Sequence, residues 1–195
     1  MDINIDSHFI YFIMWTSGSG KTTILKNIID HLPMIKYLPS YTTRPLRDWE
    51  IDGQKYHFIT TEVFEQWIQN RRRLEYAHTR KQAYRYGTDQ WEIWNIRNEW
   101  YSVIKEIDII WLKQVLETPI AKHVISIFLS VTEETMIQRL WQRGDMSPNQ
   151  IKIVVDVGQE EIAYAHTYCN HIVDANQNVE EVIDQVYQIL LKYNS

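Results

Sequence analysis

Glycine and cysteine are both scarce in this chain, whereas tryptophan is not. The 195 residues include 6 glycines and 8 tryptophans, which inverts the ratio expected of a small α/β protein. The one cysteine, Cys169, excludes an internal disulfide and favours a reducing, cytoplasmic compartment. No apolar run is long enough to cross a bilayer, and no signal peptide is evident. We therefore expect neither a membrane protein nor a secreted one.

An excess of positive charge is also absent. The formal net charge is −5, from 20 basic and 25 acidic residues, which argues against non-specific nucleic-acid binding but allows a local basic pocket. Hydrophobic residues make up 45% and charged residues 23% of the chain, as in ordinary globular proteins. The 7 histidines show no metal-ligand spacing. The composition thus predicts one compact domain with a substantial core.

A phosphate-binding loop motif lies near the N-terminus. Residues 15–23 read W-T-S-G-S-G-K-T-T, which matches G-x-x-x-x-G-K-[ST] except that Trp15 replaces the opening glycine. Backbone N–H groups of such a loop surround phosphates, Lys21 would bridge the outer phosphates, and the Thr22 hydroxyl would hold Mg²⁺ largely through water. The predicted nucleotide-binding residues are Ser17, Gly18, Ser19, Gly20, Lys21, Thr22 and Thr23.

Strands and helices alternate along most of the chain. Strands are predicted at 8–14, 103–107, 124–129 and 172–173, and helices at 20–31, 62–71, 89–99, 109–117, 132–142, 148–166 and 178–193. This alternation predicts an α/β fold with a parallel sheet flanked by helices. Residues 40–88 interrupt the alternation, with irregular β-like segments, and predict a small inserted lobe.

A second motif lies inside that stretch. Residues 40–58 read S-Y-T-T-R-P-L-R-D-W-E-I-D-G-Q-K-Y-H-F. Arg44 and Arg47 are three residues apart and Tyr56 follows, so the segment supplies guanidinium forks and a hydroxyl for an oxyanion. Taken alone, the same residues fit a solvated charged loop equally well.

Together the two motifs resemble guanylate kinases, and the resemblance extends from about residue 9 to 190. It implies a P-loop kinase fold in which residues 1–195 form a single domain. Its core is expected at about 1–39, 89–142 and 167–195, its GMP-binding lobe at about 40–88 and its lid at about 143–166. The implied reaction is Mg²⁺-dependent transfer of the ATP γ-phosphoryl group to GMP or dGMP. ATP and GMP are then the expected partners, with neither nucleic acid nor membrane.

The resemblance assigns roles to residues of the acceptor site. The segment R-R-L-E-Y-A-H resembles the family's guanine-reading segment and implies that Glu75 accepts from the guanine N1–H and N2–H groups. The segment Y-R-Y-G-T implies Tyr86 at the phosphate and Thr88 at the base, and V-I-K-E-I-D implies Glu106 and Asp108 near Mg²⁺ and the acceptor. The implied GMP-binding residues are Ser40, Arg44, Arg47, Glu50, Tyr56, Glu75, Tyr86, Thr88, Glu106 and Asp108.

The resemblance also assigns a catalytic set. The segment M-I-Q-R-L-W-Q-R-G implies that two arginines beside the lid reach across the ATP phosphates. The implied catalytic residues are Lys21, Arg44, Arg139 and Arg143. The family's third lid arginine is replaced by Val154, with Lys152 as a weaker substitute. Lys105 is an unusual residue for the buried strand in which it is predicted to lie.

Four tryptophans stand where the family has glycine or commonly has it: Trp15, Trp49, Trp100 and Trp111. Glycine serves such sites through positive φ or close backbone approach, so the sequence predicts strain there. One hypothesis is a divergent, catalytically degenerate binding module. Another is that these positions are UGA codons, which some bacteria read as glycine. A kinase of another phosphorylated acceptor, such as a ribose phosphate, is disfavoured by the guanine-specific residues of the lobe.

Overall fold

The computed structural model describes residues 8–70, 72–78 and 84–194. Its strands are β1 (Ile10–Trp15), β2 (Ile35–Tyr37), β3 (Ser40–Thr42), β4 (Tyr56–Phe58), β5 (Arg73–His78), β6 (Arg85–Asp89), β7 (Ser102–Glu106), β8 (Val124–Ser130) and β9 (His171–Asp174). Its α-helices are α1 (Lys21–His31), α2 (Thr61–Gln69), α3 (Gln90–Asn98), α4 (Ile109–Leu116), α5 (Glu133–Arg143), α6 (Pro148–Tyr168) and α7 (Val179–Asn194). A short 3-10 helix, Pro119–His123, precedes β8.

The larger sheet has five strands in the order β2-β7-β1-β8-β9, and every described pairing in it is parallel. Alternate residues of β1 enter two different apolar clusters. Tyr11 and Ile13 pack with residues of α1 and α7, whereas Phe12 packs on the other face with residues of α3 and α4. Because both faces are covered, all of β1 except its last residue is buried, as expected for an interior parallel strand. The predicted parallel sheet flanked by helices is confirmed.

A second sheet of four strands, in the order β4-β3-β6-β5, forms the segment that interrupts the alternation. The β3–β6 and β5–β6 pairings are antiparallel, and β3–β4 is parallel. Gly87 of β6 has no space for a side chain, because a Cβ there would lie 2.7 Å from the Trp67 ring of α2. Close backbone approach therefore explains this glycine.

Short polar side chains begin several helices. Thr60 accepts a hydrogen bond from the backbone N–H of Val63 and so caps the start of α2. Asp89 and Asp108 cap α3 and α4 in the same way. Ser147 and Gln150 form a reciprocal capping box that begins α6, so α5 and α6 are separate helices, as predicted.

Most differences between predicted and observed elements are shifts of one or two residues at their ends. The predicted strand 103–107 begins and ends one residue earlier, and the two-residue strand at 172–173 is a four-residue strand, β9. The 3-10 helix before β8 was not predicted, since five residues are too few for a periodic pattern. Parts of two predicted elements, Arg71 and residues 79–83, lie outside the described residues.

Candidate active site

The phosphate-loop residues connect β1 to α1, as their motif requires. Gly18 and Gly20 have φ angles of +83° and +82°, which non-glycine residues rarely adopt. The backbone N–H of Ser19 donates to Thr16 and that of Thr23 donates to Gly20, so the loop turns sharply at the N-terminus of α1. Its position joins the positive end of the helix dipole to a set of backbone donors, which suits phosphate.

Lys21 begins α1, and its ammonium group lies against protein groups rather than in open solvent. Its Nζ is 3.2 Å from the centroid of the Trp15 ring and 3.8 Å from Oε1 of Glu106. Burial lowers the pKa of Lys21 to about 8, although the charge of Glu106 opposes that shift. Oε1 of Glu106 is also 3.0 Å from Nζ of Lys55, so one carboxylate connects the phosphate loop with the small lobe.

An arginine held by a carboxylate lies at the centre of the predicted acceptor phosphate site. The two terminal nitrogens of Arg44 donate to the two oxygens of Glu50 at 2.6 and 2.7 Å. Glu50 also accepts from the backbone N–H of Arg47, and these bonds hold the pKa of the Glu50 carboxyl down at about 2. Arg44 is buried, and this bidentate pairing fixes the plane of its guanidinium group.

A cavity of about 400 Å³ adjoins this pair. It is lined by Arg44, Arg47, Trp49, Glu50, Ile51, Gln54, Lys55, Tyr56, Phe58 and Tyr86. Predicted phosphate ligands from two separate strands, Tyr56 of β4 and Tyr86 of β6, thus reach one cavity, and their ring centroids are 5.9 Å apart. The cavity combines three cationic side chains with two phenol groups, a composition that suits a phosphate monoester.

The predicted base-reading residues lie opposite each other on neighbouring strands. Glu75 of β5 pairs with Thr88 of β6, and the Thr88 hydroxyl donates to Oε1 of Glu75. Both residues are buried, and Oε2 of Glu75 has no hydrogen-bond partner within the part of the chain that the structure describes. Burial raises the pKa of Glu75 to about 7, although the positive charge of Lys105 opposes the shift. A buried carboxylate oxygen without a partner is well suited to accept N–H groups from a ligand.

The remaining predicted acceptor residues lie at the carboxyl end of β7 and the start of β3. Glu106 is the last residue of β7, and Asp108 caps α4 by accepting from the N–H of Ile110 at 3.1 Å. Burial raises the pKa of Asp108. Ser40 begins β3, at the point where the chain passes from the large sheet to the small one.

The predicted lid arginines contact protein groups. Arg139 of α5 donates through Nη1 to the carbonyl oxygens of Gly18 and Ala175, at 2.8 and 3.0 Å. Arg143, at the end of α5, pairs with Asp145 at 2.8 Å and is exposed. Val154 of α6 packs against the apolar cluster that contains β1. The structure therefore brings Arg139 to the phosphate loop, whereas Arg143 remains at the surface.

Of the four tryptophans at glycine positions, Trp100 has a backbone that favours glycine. Its φ is +67°, and it is the one non-glycine residue with positive φ among residues 8–70, 72–78 and 84–194. Trp15 ends β1, Trp49 is 76% exposed, and Trp111 lies in the first turn of α4. None of these three has a positive φ, so the backbone angle gives no reason for strain there.

Three features of the site have no counterpart in the sequence reasoning. Lys55 reaches Glu106, and Lys105 contacts Ser40 from inside the large sheet. A cavity of about 260 Å³ lies between the phosphate loop and residues 175–182. Lys105 is an unusual residue for a buried strand, but its partner Ser40 is 65 residues away in the chain. No local pattern identifies that partner. The cavity joins residues of α1, α5 and α7, which only the fold brings together.

Among the described residues, no cluster of three or more His, Cys, Asp or Glu side chains has the geometry of a metal centre. None of the helices within residues 8–70, 72–78 and 84–194 combines the length and hydropathy that a membrane span requires.

Comparisons with known proteins agree with the geometry. The solved structure of guanylate kinase from Anaplasma phagocytophilum superposes with a TM-score of 0.68 at 20% identity, covering 96% of this chain and 87% of that one, which bears on the fold. Guanylate kinase from Ruegeria sp. is 32% identical over 89% of this chain and 79% of its own length. Guanylate kinase from Mycoplasmoides gallisepticum is 33% identical over 95% of this chain and 93% of its own length. Guanylate kinase from Clostridium perfringens is 34% identical over 90% of this chain and 79% of its own length. The family model described as guanylate kinase matches residues 9–193. This match and the identities to these relatives show that the chain belongs to the guanylate kinase family.

Proposed function

We propose that this protein transfers the γ-phosphoryl group of ATP to GMP or dGMP and releases ADP with GDP or dGDP. The observation that carries the proposal is the buried Glu75–Thr88 pair, in which one carboxylate oxygen has no hydrogen-bond partner among the residues that the structure describes. Guanine presents two adjacent N–H donors, N1–H and N2–H, whereas adenine presents an acceptor at N1. A carboxylate in this position therefore favours guanine.

The acceptor phosphate is assigned to the cavity beside Arg44. The Glu50 carboxylate holds the Arg44 guanidinium in one plane, so the arginine is ordered before the nucleotide arrives. The phosphate then receives donors from Ser40, Arg44, Arg47, Tyr56 and Tyr86. An anchored phosphate points one oxygen toward the donor site, as in-line transfer requires.

The donor phosphates are assigned to the loop Ser17–Thr23. Lys21 would leave the Trp15 ring to contact the outer phosphates, and the lid arginines Arg139 and Arg143 would approach on closure. No covalent enzyme intermediate is needed, because catalysis consists of positioning and charge stabilisation. The lid at about 143–166 would also exclude water and so limit ATP hydrolysis.

Mg²⁺ is the expected metal. Thr22 is exposed in the first turn of α1, immediately after Lys21, so its hydroxyl is open to an ion that retains most of its waters. When bound, Mg²⁺ neutralises charge on the ATP phosphates.

We divide the chain into a core of about 1–39, 89–142 and 167–195, a GMP-binding lobe of about 40–88 and the lid.

A catalytically degenerate guanylate kinase-like binding module, whose acceptor face would bind a protein partner, is the second candidate. It is favoured by the contact between Lys21 and Trp15, which occupies the ammonium group that ATP requires. Retention of the acceptor residues favours the kinase instead, because a module that binds only a protein partner does not need a base-reading carboxylate.

A coupled assay of ADP release separates these functions. With Mg·ATP, we expect turnover with GMP and dGMP and none with AMP, UMP or CMP. Calorimetric binding of GMP without turnover would support the degenerate module. Equal turnover with a pyrimidine nucleotide would contradict the assignment of Glu75. Lys21→Ala is the control for a contaminating kinase, since it should remove the ADP signal.

A further inference from the structure

Lys105 is a charged residue in the interior of the large sheet. It lies on β7, between β2 and β1, and its exposed fraction is 0%. Val103, two residues earlier on the same face of the strand, belongs to an apolar cluster that also includes Leu74 of β5. Burying an ammonium group among apolar side chains is costly unless it is paired, so a lysine in this position needs strong partners.

Its partners belong to the acceptor site. Nζ of Lys105 donates to Oγ of Ser40 at 2.6 Å and lies 3.4 Å from the carbonyl oxygen of Leu38. Leu38 to Ser40 is the segment by which the chain passes from β2 of the large sheet to β3 of the small one. The carboxylate of Glu75 is the charge that most opposes the effect of burial on Lys105. The ammonium group thus donates to a predicted phosphate ligand, and its charge acts on the predicted base reader.

We propose that Lys105 is a positioning residue for the acceptor nucleotide, acting through the Ser40 hydroxyl. The assignment rests on the proposed function of the acceptor site. An ammonium group has three donors and no acceptor, so Ser40 Oγ must accept from it. The Ser40 hydroxyl hydrogen is then free to donate to a phosphate oxygen, and the hydroxyl is held in one rotamer.

The second effect of Lys105 is electrostatic. Burial favours the neutral form of Glu75, and a neutral carboxyl would offer one O–H donor instead of a second acceptor oxygen. The ammonium group opposes this by stabilising the carboxylate. A single substitution at 105 therefore affects both ends of the nucleotide without touching the ATP loop.

Steady-state kinetics of Lys105→Met, with Val103→Ala as the matched control, test the proposal. Methionine nearly preserves the volume of the side chain and removes the charge. We expect the KM for GMP to rise about 10-fold or more, as for loss of a buried charged hydrogen bond, with the KM for ATP within about 2-fold. Val103→Ala lowers stability on the same face of β7, and its KM for GMP should stay within about 2-fold of the parent.

A double-mutant cycle with Ser40→Ala identifies the route. Because Lys105 acts partly through Ser40, the effect of Lys105→Met on KM for GMP should be smaller when Ser40 is already alanine. Fully additive effects, or a folded Lys105→Met variant with unchanged KM for GMP, would overturn the proposal. If Lys105→Met does not fold, the Ser40→Ala variant alone tests the proposal. An unchanged KM for GMP in Ser40→Ala would also overturn the proposal. Failure of the parent protein to bind or phosphorylate GMP would instead overturn the proposed function.

Discussion

The acceptor lobe and the donor side of this protein are organised differently. In the lobe, Glu50 orders the Arg44 guanidinium and Thr88 orders the Glu75 carboxylate through hydrogen bonds. Both groups can still bond a ligand, as the second oxygen of Glu75 has no partner among the described residues. On the donor side, Lys21 lies on the Trp15 ring and Arg143 pairs with Asp145. In the proposed function, these cations leave their protein partners before they contact ATP. The acceptor site is thus preorganised, whereas the donor site requires rearrangement on binding.

Removal of the donor cation gives the largest expected effect. Lys21→Ala should lower kcat by at least about 10²-fold, because a positive charge that stabilises the transferring phosphoryl group is lost. GMP affinity should stay within about 2-fold, since Lys21 does not line the acceptor cavity. Steady-state kinetics measure kcat, and calorimetric titration with GMP measures the affinity. A variant that lost GMP binding but kept turnover would reverse the assignment of the two sides.

Substitution of the base reader should alter selectivity. Glu75→Gln replaces one acceptor oxygen by an NH₂ donor, which opposes the guanine N–H groups, so the preference for GMP over AMP should fall by about 10²-fold. Affinity for the phosphate should change less. Calorimetric titration of both nucleotides measures the ratio, and equal affinities in the parent protein would already contradict the role of Glu75.

Substitution of Trp15 tests whether the donor side is obstructed. Trp15→Gly removes the ring beneath Lys21, so the KM for Mg·ATP should fall about 10-fold, consistent with a cation–π contact of roughly 1–2 kcal/mol. Trp91→Ala, an exposed tryptophan of α3, is the control and should leave this KM unchanged.

The same position bears on the codon hypothesis. If UGA is read as glycine, the intact mass of protein from its native host will fit glycine at 15, 49, 100 and 111. Native protein that carries Trp15 and turns over at about 1–100 s⁻¹ would contradict both the codon hypothesis and the obstruction by Trp15.

The pH dependence of GMP binding should report Glu75. Its pKa is raised to about 7, so the carboxylate form is lost as the pH falls through 7. The Kd for GMP should rise by up to about 10-fold per pH unit as the pH falls below that value. Calorimetry from pH 5.5 to 8.5 is the measurement. In Glu75→Gln the dependence should shrink to that of the nucleotide phosphate, and an unchanged profile would assign it to another group.

The smallest expected effects compare two tryptophans outside the catalytic sets. Trp100→Gly should raise the free energy of unfolding by about 1 kcal/mol, because it relieves a left-handed backbone conformation. Trp111→Gly should lower it by about 1 kcal/mol, since glycine weakens the helix α4. Denaturant unfolding of both variants measures the difference. Stabilisation by both would support the prediction of strain at each glycine position.

Much of the fold and part of the candidate site follow from local sequence signals. The phosphate loop is recognisable because its spacing, its glycines and the flanking strand and helix are all close in the chain. The acceptor residues from 40 to 88 were grouped by motif, and the structure brings Arg44, Tyr56 and Tyr86 to one cavity. Lys55, Lys105 and the cavity beside residues 175–182 were missed, because their contacts join distant segments.

The sequence by itself determined the α/β class, the phosphate loop, the helix starts to within one residue and the resemblance to guanylate kinases. These depend on side-chain periodicity and on residues within a few positions of one another. Only the tertiary structure decided that Lys105 is paired with Ser40, that Lys21 lies on Trp15, and that Trp100 alone of the four tryptophans at glycine positions has a positive φ. Burial, charge pairing and backbone angle all depend on which distant segments pack together, and local pattern does not encode that information.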